Sequence, residues 1–478
     1  MTFQSYSYVL LFLPLVLAGY YLTASKHPVC SKVILILASF IFYAWMNHAL
    51  AVFLLVYGLL NYMLFRLQKP ENKTALWIAV GFNVLILGYY KYTGFFLETW
   101  NALFKTQYHV IALIAPLGLS FLTFRMISVQ ADAYRGSIRN ASLLNFALYL
   151  SFFPVLVQGP IIYYNELIDQ FETPRAETDW DMIASGVCRF VLGLAKKLLI
   201  ADELGKIVAW GFSALPDIGT VDLAVTALCY TLQLYFDFSG YTDMAIGTSK
   251  MFQITLPENF DSPYKAISIG DFWRRWHITL SRFLKDYVYF PLGGSRKSTF
   301  DTYRNTMIIF LISGLWHGAN WTFILWGFLH GILVCLERAF NPILKKIPSV
   351  IRWFVTFTLI NVLWVLFRSE SITQFIQFVT QFFRFEDMFL SGGPLLALSS
   401  IYTDFLQLLV WDGPNSFQLY HNIQLVLLIG GSFLLCILCK NNGQRKYHLS
   451  AFTFINRLMT FCILALLPAM RGVRIARS

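Results

Sequence analysis

Apolar stretches long enough to cross a bilayer recur through this chain of 478 residues, and they limit its fold more than any other feature. A helix needs roughly 20 apolar residues to span the hydrocarbon, where backbone polar groups find no water and must bond to each other. The runs fall near 7–23, 32–46, 49–65, 75–90, 110–127 and 143–162, then 184–200, 206–214, 221–236, 241–254, 306–319 and 321–336, and finally 351–367, 396–411, 421–439 and 451–469. Charged residues are only 13% of the chain, against about 25% in soluble domains. The expected fold is an all-α polytopic membrane protein with about 11–13 spans, plus re-entrant or interfacial helices on the cytoplasmic side. The first run lacks a basic segment before it and reads as a retained helix with its N-terminus outside.

The net charge of +11 does not point to nucleic acid, because the basic residues sit in short loops between apolar runs, the pattern of cytoplasmic loops. Lys26 and Lys32, Arg66 to Lys73, and Arg135 with Arg139 are expected inside. The acidic loop 163–183 is expected outside, and Lys196 and Lys197 inside again. The side of the C-terminal tail, with Arg471, Arg474 and Arg477, does not follow from alternation. Cys436 and Cys439 form an isolated C-x-x-C without further ligands, so no metal site is expected.

The longest break in the apolar pattern is 257–305, a net-basic segment expected on the cytoplasmic face. Phe272, Trp273, Trp276, Leu280, Phe283, Leu284 and Tyr287 recur at helical spacing, with Arg274, Arg275, Arg282 and Lys285 among them. This spacing predicts one amphipathic helix at or dipping into the interface. If the next span starts near Asn305, His317 lies twelve residues on, about 18 Å deep and close to the midplane. An ionisable group there is a functional candidate. Gly314, Gly318 and Ala319 permit close approach, while Trp316, Asn320 and Trp321 supply aromatic walls and an amide. His277 is a second candidate, whereas His330 reads as packing. His27, His48, His109, His421 and His448 read as interfacial. Asp237, Tyr241 and Asp243, around Gly240, form a polar cluster that is either functional or a cap where two helices meet. QGPI at 158–161 marks a turn or helix break.

PLGLSFLTF (116–124), FFPVLVQGPI (152–161), GLAKKLLIAD (193–202), YFDFSGYTDMAIG (235–247), SPYKAISIGDFWRRWHITLSRFLKDYVYFPLGG (262–294) and ISGLWHGANWTFILWG (312–327) together resemble the membrane-bound O-acyltransferase family, in its bacterial alginate O-acetylation branch. The resemblance implies a ring of helices around a funnel, with a catalytic core at 110–340 between N-terminal helices (1–109) and C-terminal helices (341–478). It implies His317 as the family histidine and His277 as the second one of this branch. It also implies a cytoplasmic thioester donor, acetyl-coenzyme A or an acyl carrier protein, with no bound cofactor. An extracytoplasmic acetyltransferase-type partner would complete O-acylation of a surface polysaccharide, with the protein in the inner (cytoplasmic) membrane. On the residues' own chemistry, His317 is expected as general base. Trp273, Arg274, Arg275, Trp276, Arg282, Trp316 and Asn320 are the expected donor-binding set, with Asn320 or a backbone N–H as oxyanion donor. The basic residues could instead only set topology. D-alanyl transfer to teichoic acid and a non-enzymatic polysaccharide transporter or scaffold are the alternatives.

Overall fold

The structure, a computed structural model, describes residues 1–24, 26–110, 113–139, 141–173, 178–398 and 416–439. These form helices and turns, with one isolated β-bridge between Phe260 and Trp276. The chain opens with α1 (Ser7–Ala24), α2 (Pro28–Ala44), α3 (His48–Arg66), α4 (Lys73–Phe104) and α5 (Leu119–Tyr134). Next come α6 (Leu143–Ser151), α7 (Tyr164–Glu172), α8 (Trp180–Ala195), α9 (Asp202–Ser213) and α10 (Thr220–Met251). The basic segment contributes α11 (Ile269–Arg275) and α12 (Ile278–Leu284). The remainder is α13 (Thr299–His317), α14 (Trp321–Ala339), α15 (Asn341–Leu344), α16 (Ser349–Arg368), α17 (Ile372–Phe382), α18 (Gly393–Ala397) and α19 (Ser416–Leu438). The expectations for 441–478, including the C-terminal tail and His448, lie outside the described residues.

Among the described residues, α1, α3, α4, α14 and α16 are the helices long and apolar enough to cross a membrane by length and composition. They are fewer than the 11–13 spans expected from hydropathy. One reason is that α8, α9 and α10 carry charged side chains turned toward one another rather than toward lipid. The two helices expected on either side of Gly240 are a single 32-residue α10, so Asp243 does not cap a helix. The runs at 184–200 and 206–214 likewise join, through a π-helical turn at Lys196–Ala201. Lys196 and Lys197 therefore lie mid-helix rather than in a cytoplasmic loop.

Two corrections concern topology. The acidic segment expected outside pairs with residues expected inside: Lys32 with Glu172 at 2.5 Å, Arg139 with Asp169 at 2.6 Å, and Arg282 with Glu166 at 2.7 Å. The Lys32 ammonium holds the Glu172 carboxyl below its ordinary range. The physical reason is length. Helix α6 has nine residues, about 13.5 Å, less than half of a ~30 Å core. The chain turns at Phe153–Val155 and comes back through QGPI to α7 on the side it left. Segment 143–163 thus turns back before it has covered the thickness of a hydrocarbon core.

The second correction is to the single amphipathic helix. It breaks between α11 and α12, where Trp276 is extended and His277 takes a left-handed φ of 44°. Asp261 N–H donates to Arg275 O (2.9 Å) and Ile278 N–H to Asn259 O (3.0 Å), so a strand-like contact interrupts the helix. Its apolar face does not rest on lipid either. Phe272, Trp276, Leu280, Phe283 and Leu284 are all buried against other parts of the protein. The segment is built into the helix assembly.

Helix α8 seats on α10 through glycines seven residues apart on each. A Cβ at Gly193 would lie 2.6 Å from Gly240 O, and one at Gly186 2.7 Å from Gly247 O. Only hydrogen at those positions lets the backbones approach so closely.

Candidate active site

Three histidines meet around two tryptophans. The Trp316 ring lies between those of His277 (6.0 Å) and His317 (4.9 Å), and the Trp326 ring lies between those of His317 (5.2 Å) and His330 (4.6 Å). His317 ends α13 and its side chain is only partly buried. Phe367 closes another side of its ring at 5.1 Å. No side-chain hydrogen bond joins that ring to the described residues, so both its nitrogens are available for chemistry.

His277 is almost fully buried, and hydrogen bonding fixes its tautomer. Asn259 Oδ1 accepts from Thr279 N–H (3.3 Å), which can only donate, and from Thr279 Oγ1 (2.9 Å). The same oxygen lies 3.1 Å from His277 Nδ1. In a neutral ring that nitrogen carries the proton, and Nε2, which has no partner, presents a lone pair to the site. His330 is the mirror case. Trp273 Nε1–H, a donor only, bonds to His330 Nδ1 at 3.2 Å, so its unpartnered Nε2 carries the proton. His330, expected as packing, is fully buried against Trp273 and Trp326, and Trp326 also meets the ring of His317.

Replacing Asn259 by leucine leaves three donors around one oxygen without an acceptor. A loss of roughly 1–3 kcal/mol in stability is expected, measured as a lower unfolding midpoint in detergent, with Asn259→Asp much milder because it keeps the oxygen.

A cleft of about 680 Å³ lies between α11–α12 and α13–α14. Arg274, Arg282 and Lys285 line it, as do Trp273, Phe310 and Ser313. Ser313 lies one helical turn before His317, and its buried Oγ has no hydrogen-bond partner. The basic residues differ in what they can offer. Arg274 is 74% exposed and holds only a 3.3 Å contact with Asp271, and Lys285 is exposed at the rim. Arg282 is engaged by Glu166 at 2.7 and 2.9 Å. Arg275 is absent from the cleft lining and instead bonds Asp271 (3.0 Å) and Asp261 O (3.3 Å).

Other expected site residues have structural duties. Trp276 is buried among Phe260, Phe272 and Trp364. The Asn320 amide is committed, since Oδ1 caps α14 at Thr322 N–H (3.0 Å) and Nδ2 donates to Glu370 O (2.8 Å). The expected cluster of Asp237, Tyr241 and Asp243 does not converge on His317. Asp243 accepts from Arg189 (2.9 Å) and Lys196 (2.7 Å), Asp237 pairs with Lys197 (2.7 Å), and Tyr241 packs on Phe3. Arg189 also grips Glu258, the neighbour of Asn259, at 2.6 and 2.5 Å, so this network braces the loop that orients His277.

Five described helices long and apolar enough to cross a membrane make this a multi-pass membrane protein. The sequence profile of the membrane-bound O-acyltransferase family (MBOAT) matches residues 33–369, and the chain belongs to that family. It is therefore a membrane-bound O-acyltransferase. A protein of Helicobacter pylori named "Peptidoglycan O-acetyltransferase" is 35% identical, with 97% of this chain and 93% of that one aligned. One of Azotobacter vinelandii named "Probable alginate O-acetylase AlgI" is 40% identical over 84% of this chain and 82% of its own. A "Teichoic acid D-alanyltransferase" of Bacillus subtilis is 30% identical over 50% of this chain and 64% of its own.

Proposed function

We propose that this protein, in the inner (cytoplasmic) membrane, moves an acetyl group from a cytoplasmic thioester toward O-acetylation of a cell-envelope polysaccharide. The observation that carries the reading is the cleft, with the exposed basic side chains of Arg274 and Lys285 at its rim and Ser313 one turn from His317. The names of the relatives that align over most of the chain supply the acetyl group and the glycan acceptor. The D-alanyl reading rests on a match to half of the chain and is the weaker.

In the proposed step, a hydroxyl oxygen attacks the thioester carbonyl while a ring nitrogen of His317 takes its proton. A C–O bond forms, the C–S bond breaks, and the leaving thiolate takes up a proton. His277, with its lone pair at Nε2, assists proton transfer or orients the donor. Arg274 and Lys285 attract the phosphates of coenzyme A or an acidic carrier protein. An extracytoplasmic acetyltransferase-type partner completes transfer to the glycan.

The roles of the basic residues separate by experiment. Inside-out membrane vesicles supplied with radiolabelled acetyl-coenzyme A expose the cytoplasmic face. Joint replacement of Arg274 and Lys285 by glutamine should raise the donor KM about tenfold, the effect of losing about 1.4 kcal/mol of binding, with kcat little changed. An unchanged KM would assign them to topology alone.

A further inference from the structure

The end of α13 lacks the usual means of satisfying its last carbonyls. A helix leaves its final four C=O groups without intrahelical partners, and a left-handed glycine commonly closes it. Gly318 is extended instead, with φ −165°. The missing donors come from another helix. On α4, Tyr92 donates its hydroxyl to Leu315 O, and the neighbouring Lys91 donates Nζ to Trp316 O. Lys91 Nζ also lies 3.3 Å from His317 O and 3.4 Å from Ser120 Oγ. Three consecutive carbonyls, ending at His317, are thus held by two adjacent side chains.

Lys91 lies in the interior of α4, away from both ends of the helix. Lys91 sits in the run ILGYYKYTGFF, and α4 is one of the helices long and apolar enough to span the membrane. Lys91 is 18 residues from the start of α4 at Lys73 (91 − 73), and His317 is 18 from the start of α13 at Thr299 (317 − 299). An ionisable residue within an apolar helix of this kind is by default a candidate for function. No carboxylate pairs with it among the described residues. A cation at a helix C-terminus interacts favourably with the carbonyl end of the macrodipole.

We propose that Lys91 is a positioning residue for acyl transfer, fixing the last turn of α13 and with it the ring of His317. The inference rests on the reading of His317 as the base. Because no hydrogen bond from the described residues orients that ring, its place depends on the backbone of residue 317 and on contacts with Trp316, Trp326 and Phe367. Lys91 holds the backbone directly. A shift of about 1 Å in a reacting group can cost around a hundredfold in rate.

The test uses the full chain in inside-out vesicles with radiolabelled acetyl-coenzyme A, comparing Lys91→Met, Lys91→Arg and His317→Ala at matched protein amounts. Lys91→Met should lower kcat about 10- to 100-fold. Its donor KM should stay within about twofold, because Arg274 and Lys285 at the cleft rim are untouched. Lys91→Arg, which keeps a charged donor, should recover most of the rate. Wild-type kcat in Lys91→Met beside an inactive His317→Ala would overturn this inference alone. So would equal losses of kcat and folded yield in both Lys91 variants, which would mark a purely structural lysine. Normal turnover in His317→Ala would overturn the base assignment and this inference with it.

Discussion

His317→Ala is expected to lower acyl transfer by about 10²–10⁴-fold, the range for removing a general base, while insertion and yield stay normal. The fold has little invested in this imidazole. It makes no side-chain hydrogen bond to the described residues and is only partly buried, so alanine leaves no buried partner unsatisfied. Its neighbours Trp316, Trp326 and Phe367 also contact one another or further aromatic rings, including Trp326 with Phe367 at 5.2 Å. The loss should therefore fall on kcat. Turnover measured in inside-out vesicles, with yield read from the same membranes, checks both halves of the expectation.

Gly247→Val is expected to abolish folding rather than chemistry. A Cβ at 247 would lie 2.6 Å from both Gly186 O and Phe190 N, distances that side-chain rotation cannot relieve because both atoms are backbone. Helices α8 and α10 would have to separate, pulling apart the buried Arg189–Asp243 pair held at 2.9 Å across the same interface. Overpacking alone commonly costs about 1–3 kcal/mol, and breaking a buried ion pair adds about 3–5 kcal/mol. Gly88→Ala is the control, since a Cβ there meets nothing within 4 Å. Folded yield by size-exclusion chromatography should collapse for the first variant and stay normal for the second.

What the sequence made legible was the part governed by local chemistry. Apolar runs announced membrane helices, but His317, expected twelve residues into a span from Asn305 and so near its middle, lies 18 residues from the start of its helix at Thr299 (317 − 299) and at its end. What stayed hidden depends on partners remote in sequence. The spacing from Phe272 to Tyr287 reads as one helix, because nothing local reveals that Asn259 will take three donors and break it at His277. Arg274 and Arg275 are indistinguishable as letters and both contact Asp271, yet one lines the cleft and the other turns to Asp261. Arg125, whose place in the sequence gives no hint of a partner, lies over the Tyr149 ring at 4.6 Å within the core. Lys91 falls just past the apolar run at 75–90 and drew no reading from the sequence, because its target on α13 is 225 residues away. The acidic loop misled because carboxylates are weak topology signals, and the short α6 outweighed them.

The most direct test of the account is mass spectrometry of ester-linked acetyl groups on envelope polysaccharide from three strains: one lacking this protein, one supplied with the wild-type chain and one supplied with His317→Ala. The account predicts acetyl esters restored by the wild-type chain and absent from the other two. Equal ester content in the wild-type and His317→Ala strains, or none restored by the wild-type chain, would contradict it.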